Sequence, residues 1–180
     1  QAGKEINKLY KSDYSIRDKS YRNPVTDADH AANQAILDII YKEFPDDGWL
    51  SEETVDSKDR LGKSRVWIVD PLDGTKEFIE GVPNFAVSIG LTIDGTPVLG
   101  VLYNPVTEEM FYASAGKGSY YNGNRVFCSA KDRMQSTTIV ISRSETRRGL
   151  WEGTESWFTE QAHIGSVAYK LGLTAAGKYD

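Results

Sequence analysis

The clearest helical pattern in the chain lies between residues 25 and 44. Thr26 is its predicted N-cap, and the turn Pro45-Asp46-Asp47-Gly48 follows its last turn. Apolar residues recur there every three or four positions, as on one buried helix face: Ala28, Ala32, Ala35, Ile36, Ile39, Ile40 and Phe44. A weaker helical pattern ends near Tyr10, and the polar segment 11–23 is predicted to be exposed.

Between residues 66 and 121 the pattern changes to short strands. The continuous apolar run 66–69 predicts a buried strand that ends at Asp70, and residues 85–93 alternate between apolar and small or polar positions. Further strands are predicted at 97–103, 110–113 and 119–121, separated by turns such as Asp94-Gly95. Consecutive strands joined by short turns predict an antiparallel meander with the helices on one face, which is an α+β architecture.

A second unit is predicted after residue 130. Residues 137–142 form a new apolar strand, and 166–176 form a helix whose inward residues are predicted to be Val167, Leu171, Thr174 and Ala175. We therefore expect an N-terminal α+β domain over 1–130 and a partial C-terminal α/β domain over 131–180. The chain opens without methionine and stops directly after this helix, so we expect it to be a piece of a longer protein.

Composition excludes several classes of function. The 180 residues are 39% hydrophobic with a net charge of −5 and no basic patch, so no nucleic-acid polymer is expected as a partner. The single cysteine, Cys128, rules out an intramolecular disulfide. Together with only two histidines in the whole chain, it cannot complete a Cys/His zinc site. With no apolar run of about 20 residues and no signal-peptide pattern, we expect a cytoplasmic protein without a membrane partner.

The densest chemical signal is the segment Asp70-Pro71-Leu72-Asp73-Gly74-Thr75. Two carboxylates three residues apart lie on a proline-containing turn at a strand end, and a short helix over 76–80 follows. Hard cations such as Mg²⁺ take oxygen ligands, which these carboxylates, the Leu72 carbonyl and the Thr75 hydroxyl could supply. The N–H groups at the helix start could bind a phosphate. An aspartate-rich turn that only caps the helix explains the same residues equally well.

Two further acidic positions have similar alternatives. Glu52 and Glu53 could lie beside Asp70, although adjacent glutamates are usually solvated. Asp29 follows Thr26 at capping-box spacing, so it could simply accept a hydrogen bond from the N-cap amide. Asp70 and Asp73 are spaced too widely for the Asp-x-Asp motif of haloacid-dehalogenase-type phosphatases, whose first aspartate is a nucleophile.

Together these motifs resemble the lithium-sensitive, inositol monophosphatase-like phosphatase superfamily. The resemblance spans nearly the whole chain and rests on VTDADHAAN at 25–33, SEE at 51–53, WIVDPLDGTKEF at 67–78, GVLYNPVTEEMFYASAGKGSYYNG at 100–123 and GSVAYKLGLTAAGKYD at 165–180. DGTKEF and GSVAYK are most similar to the bacterial and archaeal 3′(2′),5′-bisphosphate nucleotidase branch. The resemblance implies a layered α/β sandwich.

The resemblance also implies roles for individual residues. Two or three Mg²⁺ ions would be surrounded by Glu52, Asp70, the Leu72 carbonyl, Asp73 and Thr75. Asp29, Thr75 and Glu52 would be catalytic, with Asp29 and Thr75 orienting the attacking water. The small phosphorylated substrate would contact Asp73, Gly74, Thr75, Gly165, Ser166 and Lys170. The implied reaction is hydrolysis of the 3′ phosphate of adenosine 3′,5′-bisphosphate by a metal-activated water, inhibited by lithium.

Three alternatives remain open at this stage. An inositol or sugar phosphatase would use the same chemistry. Family members continue beyond a motif like AAGKYD into another strand and a Trp-Asp segment with a further metal ligand, which this chain lacks. It could therefore be a catalytically impaired fragment that still binds metal and forms a homodimer through exposed strand edges. Lys170 could be simply solvated, and Gly165 could serve packing alone.

Overall fold

The computed structural model describes residues 1–21 and 23–180, and its largest element is a seven-stranded sheet. The helices are α1 (Ala2–Leu9), α2 (Asp27–Glu43), α3 (Thr75–Ile79), α4 (Arg143–Thr146) and α5 (Val167–Ala175). The strands are β1 (Ile16–Ser20), β2 (Asn23–Thr26), β3 (Gly48–Ser51), β4 (Arg65–Asp73), β5 (Ala86–Ile93), β6 (Thr96–Asn104), β7 (Glu109–Ser114), β8 (Gly118–Tyr121), β9 (Asn124–Val126), β10 (Thr138–Ser142) and β11 (Glu160–Ile164). Within the described ranges, no helix is long and apolar enough to cross a membrane.

The central sheet confirms the predicted meander and extends it. Its strand order is β3-β4-β5-β6-β7-β8-β9, and every pair from β4 to β9 is antiparallel. Strand β3 pairs in parallel with β4, from Gly48 opposite Val66 to Ser51 opposite Val69, so the sheet is mixed rather than purely antiparallel. The sequence pattern did not predict β3, because four residues with one apolar pair are too short to show a strand period.

Two small sheets complete the architecture. The polar segment predicted to be exposed does contain the exposed strand β1, but β1 also forms an antiparallel hairpin with β2. Strands β10 and β11 pair in parallel, with Ser142 opposite Ile164. Strand β11, Glu-Gln-Ala-His-Ile, was not predicted because its polar residues hide the strand pattern. The two-domain division at residue 130 stays a prediction.

Alternation along β5 separates two apolar clusters on opposite faces of the sheet. Val87 belongs to the cluster formed with α1, α2 and α3, where the rings of Phe78 and Phe85 meet edge to face at 5.5 Å. This confirms the prediction that these helices share one face. Ala86 points to the opposite side and joins the cluster that α5 forms with Phe111.

The predicted inward face of α5 is wrong. Val167 and Leu171 are 61% and 64% exposed, whereas Tyr169, Gly172 and Leu173 are buried. Small and apolar residues surround most of this helix, so its sequence defines no single buried face. Its rotation is set instead by tertiary packing, since a Cβ at position 172 would lie 3.0 Å from ring carbon Cδ2 of Phe111.

Candidate active site

The end of β4 presents two aspartates to one side of the sheet. Pairing of β4 with β5 shifts register between Asp70 and Asp73, as in a β-bulge, so the chain bends where the two carboxylates lie. Gly74 then turns the chain into α3 with φ of +104°. A Cβ at this position would lie 2.9 Å from the Cβ of Phe85, so both the backbone angle and the space require glycine.

Asp29 connects the start of α2 to the start of α3. Its Oδ2 accepts hydrogen bonds from Thr26 N at 2.8 Å and Thr26 Oγ1 at 2.6 Å, which confirms the predicted capping box. Its Oδ1 accepts a hydrogen bond from Thr75 Oγ1 at 2.9 Å. Asp29 therefore completes the capping box of α2 with one carboxylate oxygen and pairs with Thr75 through the other. Asp29 is 1% exposed, and this burial raises its pKa despite the hydrogen bonds from Thr26 and Thr75.

The carboxylates of Glu52, Asp70 and Asp73 form a second group near the Asp29 and Thr75 pair. Burial, followed by the negative charges of Asp73 and Glu52, raises the pKa of Asp70 to about 8. Glu52 is held beside β4 by a hydrogen bond from its amide to the Val69 carbonyl at 3.2 Å. Carboxylates that repel one another this strongly favour a bound cation. The groups here that could bind a metal ion all do so through oxygen atoms, which Mg²⁺ prefers. They include the Leu72 carbonyl, which lies 3.1 Å from Thr75 Oγ1.

Two of these carboxylates already have partners. Lys19 Nζ, from β1, lies 2.9 Å from Glu52 Oε1 and 2.5 Å from Glu53 Oε1. Asp73 Oδ2 accepts hydrogen bonds from Ser166 Oγ and Ala168 N, both at 2.5 Å. As these side chains stand, residues 1–21 and 23–180 contain no group of three or more Asp, Glu, His or Cys side chains that could hold a metal ion. A metal site here would need the Leu72 carbonyl or Thr75 hydroxyl, or a rotation of Glu52 or Asp73.

A cavity of about 190 Å³ brings most of the predicted site residues together. Its lining includes Glu52, Asp70, Leu72, Asp73, Gly74, Thr75, Gly165 and Ser166. Asp29 lies behind Thr75, which it contacts, and does not line the cavity. The predicted substrate residue Lys170 is half-buried on α5 and is not in the cavity lining either.

Lys19 and Glu77 are two of several residues at the site that were not predicted from the sequence. Lys19 lies in the segment that was expected to be only exposed and polar, and no local pattern links it to Glu52. Glu77 lines the cavity and follows the Asp-Gly-Thr motif by two positions. Its place in DGTKEF marked it as a variant of the motif, but only the fold shows that its carboxyl packs against Gly165.

Comparison with known proteins places the chain in a family. The model of the inositol monophosphatase family matches residues 1–180. A histidinol-phosphatase of Chlorobaculum parvum is 39% identical over 132 residues, which are 73% of this chain and 49% of the relative. A fructose-1,6-bisphosphatase/inositol-1-monophosphatase of Thermotoga maritima is 39% identical over 161 residues, which are 89% of this chain and 61% of the relative.

The fold also matches solved structures. The crystal structure of the extragenic suppressor protein SuhB from Bartonella henselae superposes with a TM-score of 0.88 at 32% identity, covering 99% of this chain and 72% of that one. The chain spans about half to three fifths of the two curated relatives above. Because the family match covers every residue and the fold agrees over nearly the whole chain, the chain belongs to the inositol monophosphatase family.

Proposed function

We propose that this chain carries the metal and phosphate site of a Mg²⁺-dependent phosphomonoesterase. The observation that carries the proposal is the hydrogen bond from Thr75 to the buried Asp29, in direct contact with a cavity that is lined by Glu52, Asp70 and Asp73. When bound, Mg²⁺ would screen the charge of the phosphate, lower the pKa of a water and stabilise the departing oxygen.

Metal binding and orientation of the attacking water would be carried out by different residues of the site. Glu52, Asp70, Asp73 and the Leu72 carbonyl would hold two or three ions. The Thr75 hydroxyl donates a hydrogen bond to Asp29, so a lone pair of Thr75 Oγ1 remains free to accept a hydrogen bond from the attacking water and orient it. Asp29 is buried and held by three hydrogen bonds, so it fixes this orientation. As the water passes its proton to Thr75 Oγ1, Asp29 can take up the proton that Thr75 gives up.

The phosphate would lie at the turn between β4 and α3. Backbone amides of Gly74 and Thr75 are the proposed phosphate contacts. Gly165 and Ser166 also line the cavity and are the proposed contacts of the alcohol part of the ester. Ser166 keeps Asp73 in place through its hydroxyl. The domain boundary near residue 130 would then place the metal ligands in the first domain and the alcohol-side contacts in the second.

Substrate identity separates two proposals. The DGTKEF and GSVAYK motifs support adenosine 3′,5′-bisphosphate, which needs a cationic partner for its second phosphate. Lys170 was the residue expected to supply it, and its position outside the cavity lining weakens that assignment. The names of the curated relatives support histidinol phosphate, inositol 1-phosphate or fructose 1,6-bisphosphate instead.

Phosphate release by the full chain with Mg²⁺ tests the function. Inositol 1-phosphate, histidinol phosphate, fructose 1,6-bisphosphate and adenosine 3′,5′-bisphosphate are offered in parallel, and the preferred ester decides the substrate. Asp73→Asn should lower turnover by at least about 100-fold, because it replaces an anionic metal ligand by a neutral amide. Glu43→Gln, at the exposed end of α2, is the matched carboxylate control and should change turnover by less than about twofold.

The fragment alternative predicts a different pattern. Mg²⁺ would bind in calorimetry, and the Asp73→Asn variant would bind it more weakly, but no ester would be hydrolysed. Sedimentation at several protein concentrations tests the proposed homodimer separately. Turnover that survives Asp73→Asn unchanged would contradict the proposed site in either case.

A further inference from the structure

An ion-pair network joins α3, which begins at the site, to α4. Arg143 contacts Glu77 Oε1 through Nη1 at 3.4 Å and Glu80 Oε2 through Nη2 at 2.9 Å. Arg147 makes two hydrogen bonds to the Glu80 carboxylate, at 2.6 and 2.7 Å. The inner side chains of Glu77 and Arg143 are only 12% and 19% exposed, whereas Arg147 is largely in solvent. Solvent therefore screens the outer pair more than the inner pair.

The carboxyl group of Glu77 packs directly on Gly165. A Cβ at position 165 would lie 1.9 Å from Glu77 Cδ and 2.1 Å from its Oε1, so position 165 cannot carry a side chain while Glu77 stays in place. Gly165 does not have a positive φ, so its backbone angle is not the reason for glycine here. The requirement for glycine at 165 comes from Glu77.

The contact with Gly165 connects Glu77 to Asp73. Ser142 and Ile164 are paired across β10 and β11, so Arg143 and Gly165 follow neighbouring strand ends at one edge of this sheet. Gly165 leads into Ser166, whose hydroxyl donates to Asp73 Oδ2, and the Ala168 amide donates to the same oxygen. Glu77 thus packs on the segment that holds one oxygen of Asp73.

We propose that Glu77, held by Arg143, is a positioning residue that fixes the segment from Gly165 to Ala168 and, through it, the Asp73 carboxylate. The inference rests on the proposed phosphatase function, because it assigns a task within that site. Glu77 lines the cavity, but in the described hydrogen-bond network its side chain contacts neither the Thr75 and Asp29 pair nor Asp70. Its proposed effect on the reaction therefore passes through Asp73. Among the described residues, the side chain of Arg147 forms its hydrogen bonds and ion pair with Glu80 and makes no direct contact with Glu77, so Arg147 is the matched control.

The variants separate positioning from general stability. Glu77→Ala removes the group that packs on Gly165, and Arg143→Met leaves the Glu77 carboxyl without its partner. Both should lower kcat by about 10-fold to 100-fold with KM within about threefold, because a misplaced Asp73 affects the reacting geometry. Glu77→Gln keeps the shape of the side chain and can still accept a hydrogen bond from Arg143, so its kcat should stay within about threefold of that of wild type. The kcat of Arg147→Met should also stay within about threefold.

Two readouts do not need turnover. In metal-free protein, hydrogen exchange of the Ala168 amide by NMR should become at least about tenfold faster in Glu77→Ala and Arg143→Met and stay unchanged in Arg147→Met. Calorimetry should show Mg²⁺ binding weakened by about tenfold in the same two variants.

The outcomes distinguish this inference from the proposed function. If wild type binds Mg²⁺ but hydrolyses no ester, the phosphatase proposal fails, while exchange and Mg²⁺ affinity still decide the role of Glu77. Unchanged Ala168 exchange in Glu77→Ala would overturn the positioning role. Equal effects of Arg143→Met and Arg147→Met would also overturn it, as would lost protection of Ala168 with unchanged kcat and Mg²⁺ affinity.

Discussion

Replacing Thr75 by valine tests the pair formed by Thr75 and Asp29. Valine has nearly the shape of threonine but lacks the hydroxyl that donates to Asp29 Oδ1 at 2.9 Å. The hydroxyl has one proton, so its 3.1 Å contact with the Leu72 carbonyl is not a second full donation. The variant therefore removes one hydrogen bond to a charged group and leaves a carboxylate oxygen of a residue that is 1% exposed without this donor.

The expected cost follows from that loss. A hydrogen bond to a charged group contributes about 1.5–3 kcal/mol to the free energy of unfolding. For a chain of this size each kcal/mol corresponds to about 2–4 °C in Tm. Thr92→Val is the matched control, because Thr92 Oγ1 donates to the neutral Val66 carbonyl at 3.3 Å within a strand. Valine suits a strand, so this control should cost at most about 1 kcal/mol.

The cost should also depend on pH. Burial already raises the pKa of Asp29, and loss of the Thr75 donor removes an interaction that favours the charged form, so the pKa rises further. A carboxyl group whose pKa is raised in the folded state stabilises that state increasingly as pH falls. The free-energy gap between wild type and Thr75→Val should therefore be widest at neutral pH and narrow toward acid.

Urea unfolding at several pH values, with phosphate release in parallel, measures these effects. Thr75→Val should lose at least about 100-fold in kcat, and Thr75→Ser, which keeps the donor, should retain most of it. The reasoning is refuted if Thr75→Val unfolds like Thr92→Val at neutral pH, or if its turnover matches that of Thr75→Ser.

Three further predictions concern the surroundings of the site. Ser166→Ala removes a hydrogen-bond donor to Asp73 and the N-cap of α5, so urea unfolding should show a free energy of unfolding that is lower by about 1–3 kcal/mol. Ser166→Thr should largely restore it, and an unchanged free energy in Ser166→Ala would contradict the capping role. Hydrogen bonds from Arg147 and then Arg143 lower the pKa of Glu80 to about 2, so wild type should be more stable than Glu80→Gln by at most about 1 kcal/mol at neutral pH. This difference should be lost as pH falls from about 4.5 through about 2, and a pH-independent difference would argue against it. Millimolar Li⁺ should slow phosphate release at limiting Mg²⁺ because it competes for the same carboxylates, and an unchanged rate would exclude this competition.

Local sequence patterns determined much of the fold. The 3.6-residue period and the Thr26 cap predicted α2, and alternation with turn residues predicted the order of the strands from β4 to β8. The bend between Asp70 and Asp73 follows from proline and glycine in one short segment. These features depend on residues within a few positions of one another, so the sequence alone contains the information for them.

Tertiary structure alone decided how the site is assembled. Thr75 and Asp29 are 46 positions apart, and Ser166 and Asp73 are 93 apart, so no local pattern relates them. The sequence left Asp29 with two alternative roles, and the fold joined both in one carboxylate. The inward face of α5 was predicted wrongly because packing on Phe111 set its rotation. Side chains far apart in sequence meet only once the sheet and its crossovers have formed, and burial there then shifts their pKa values and selects their partners.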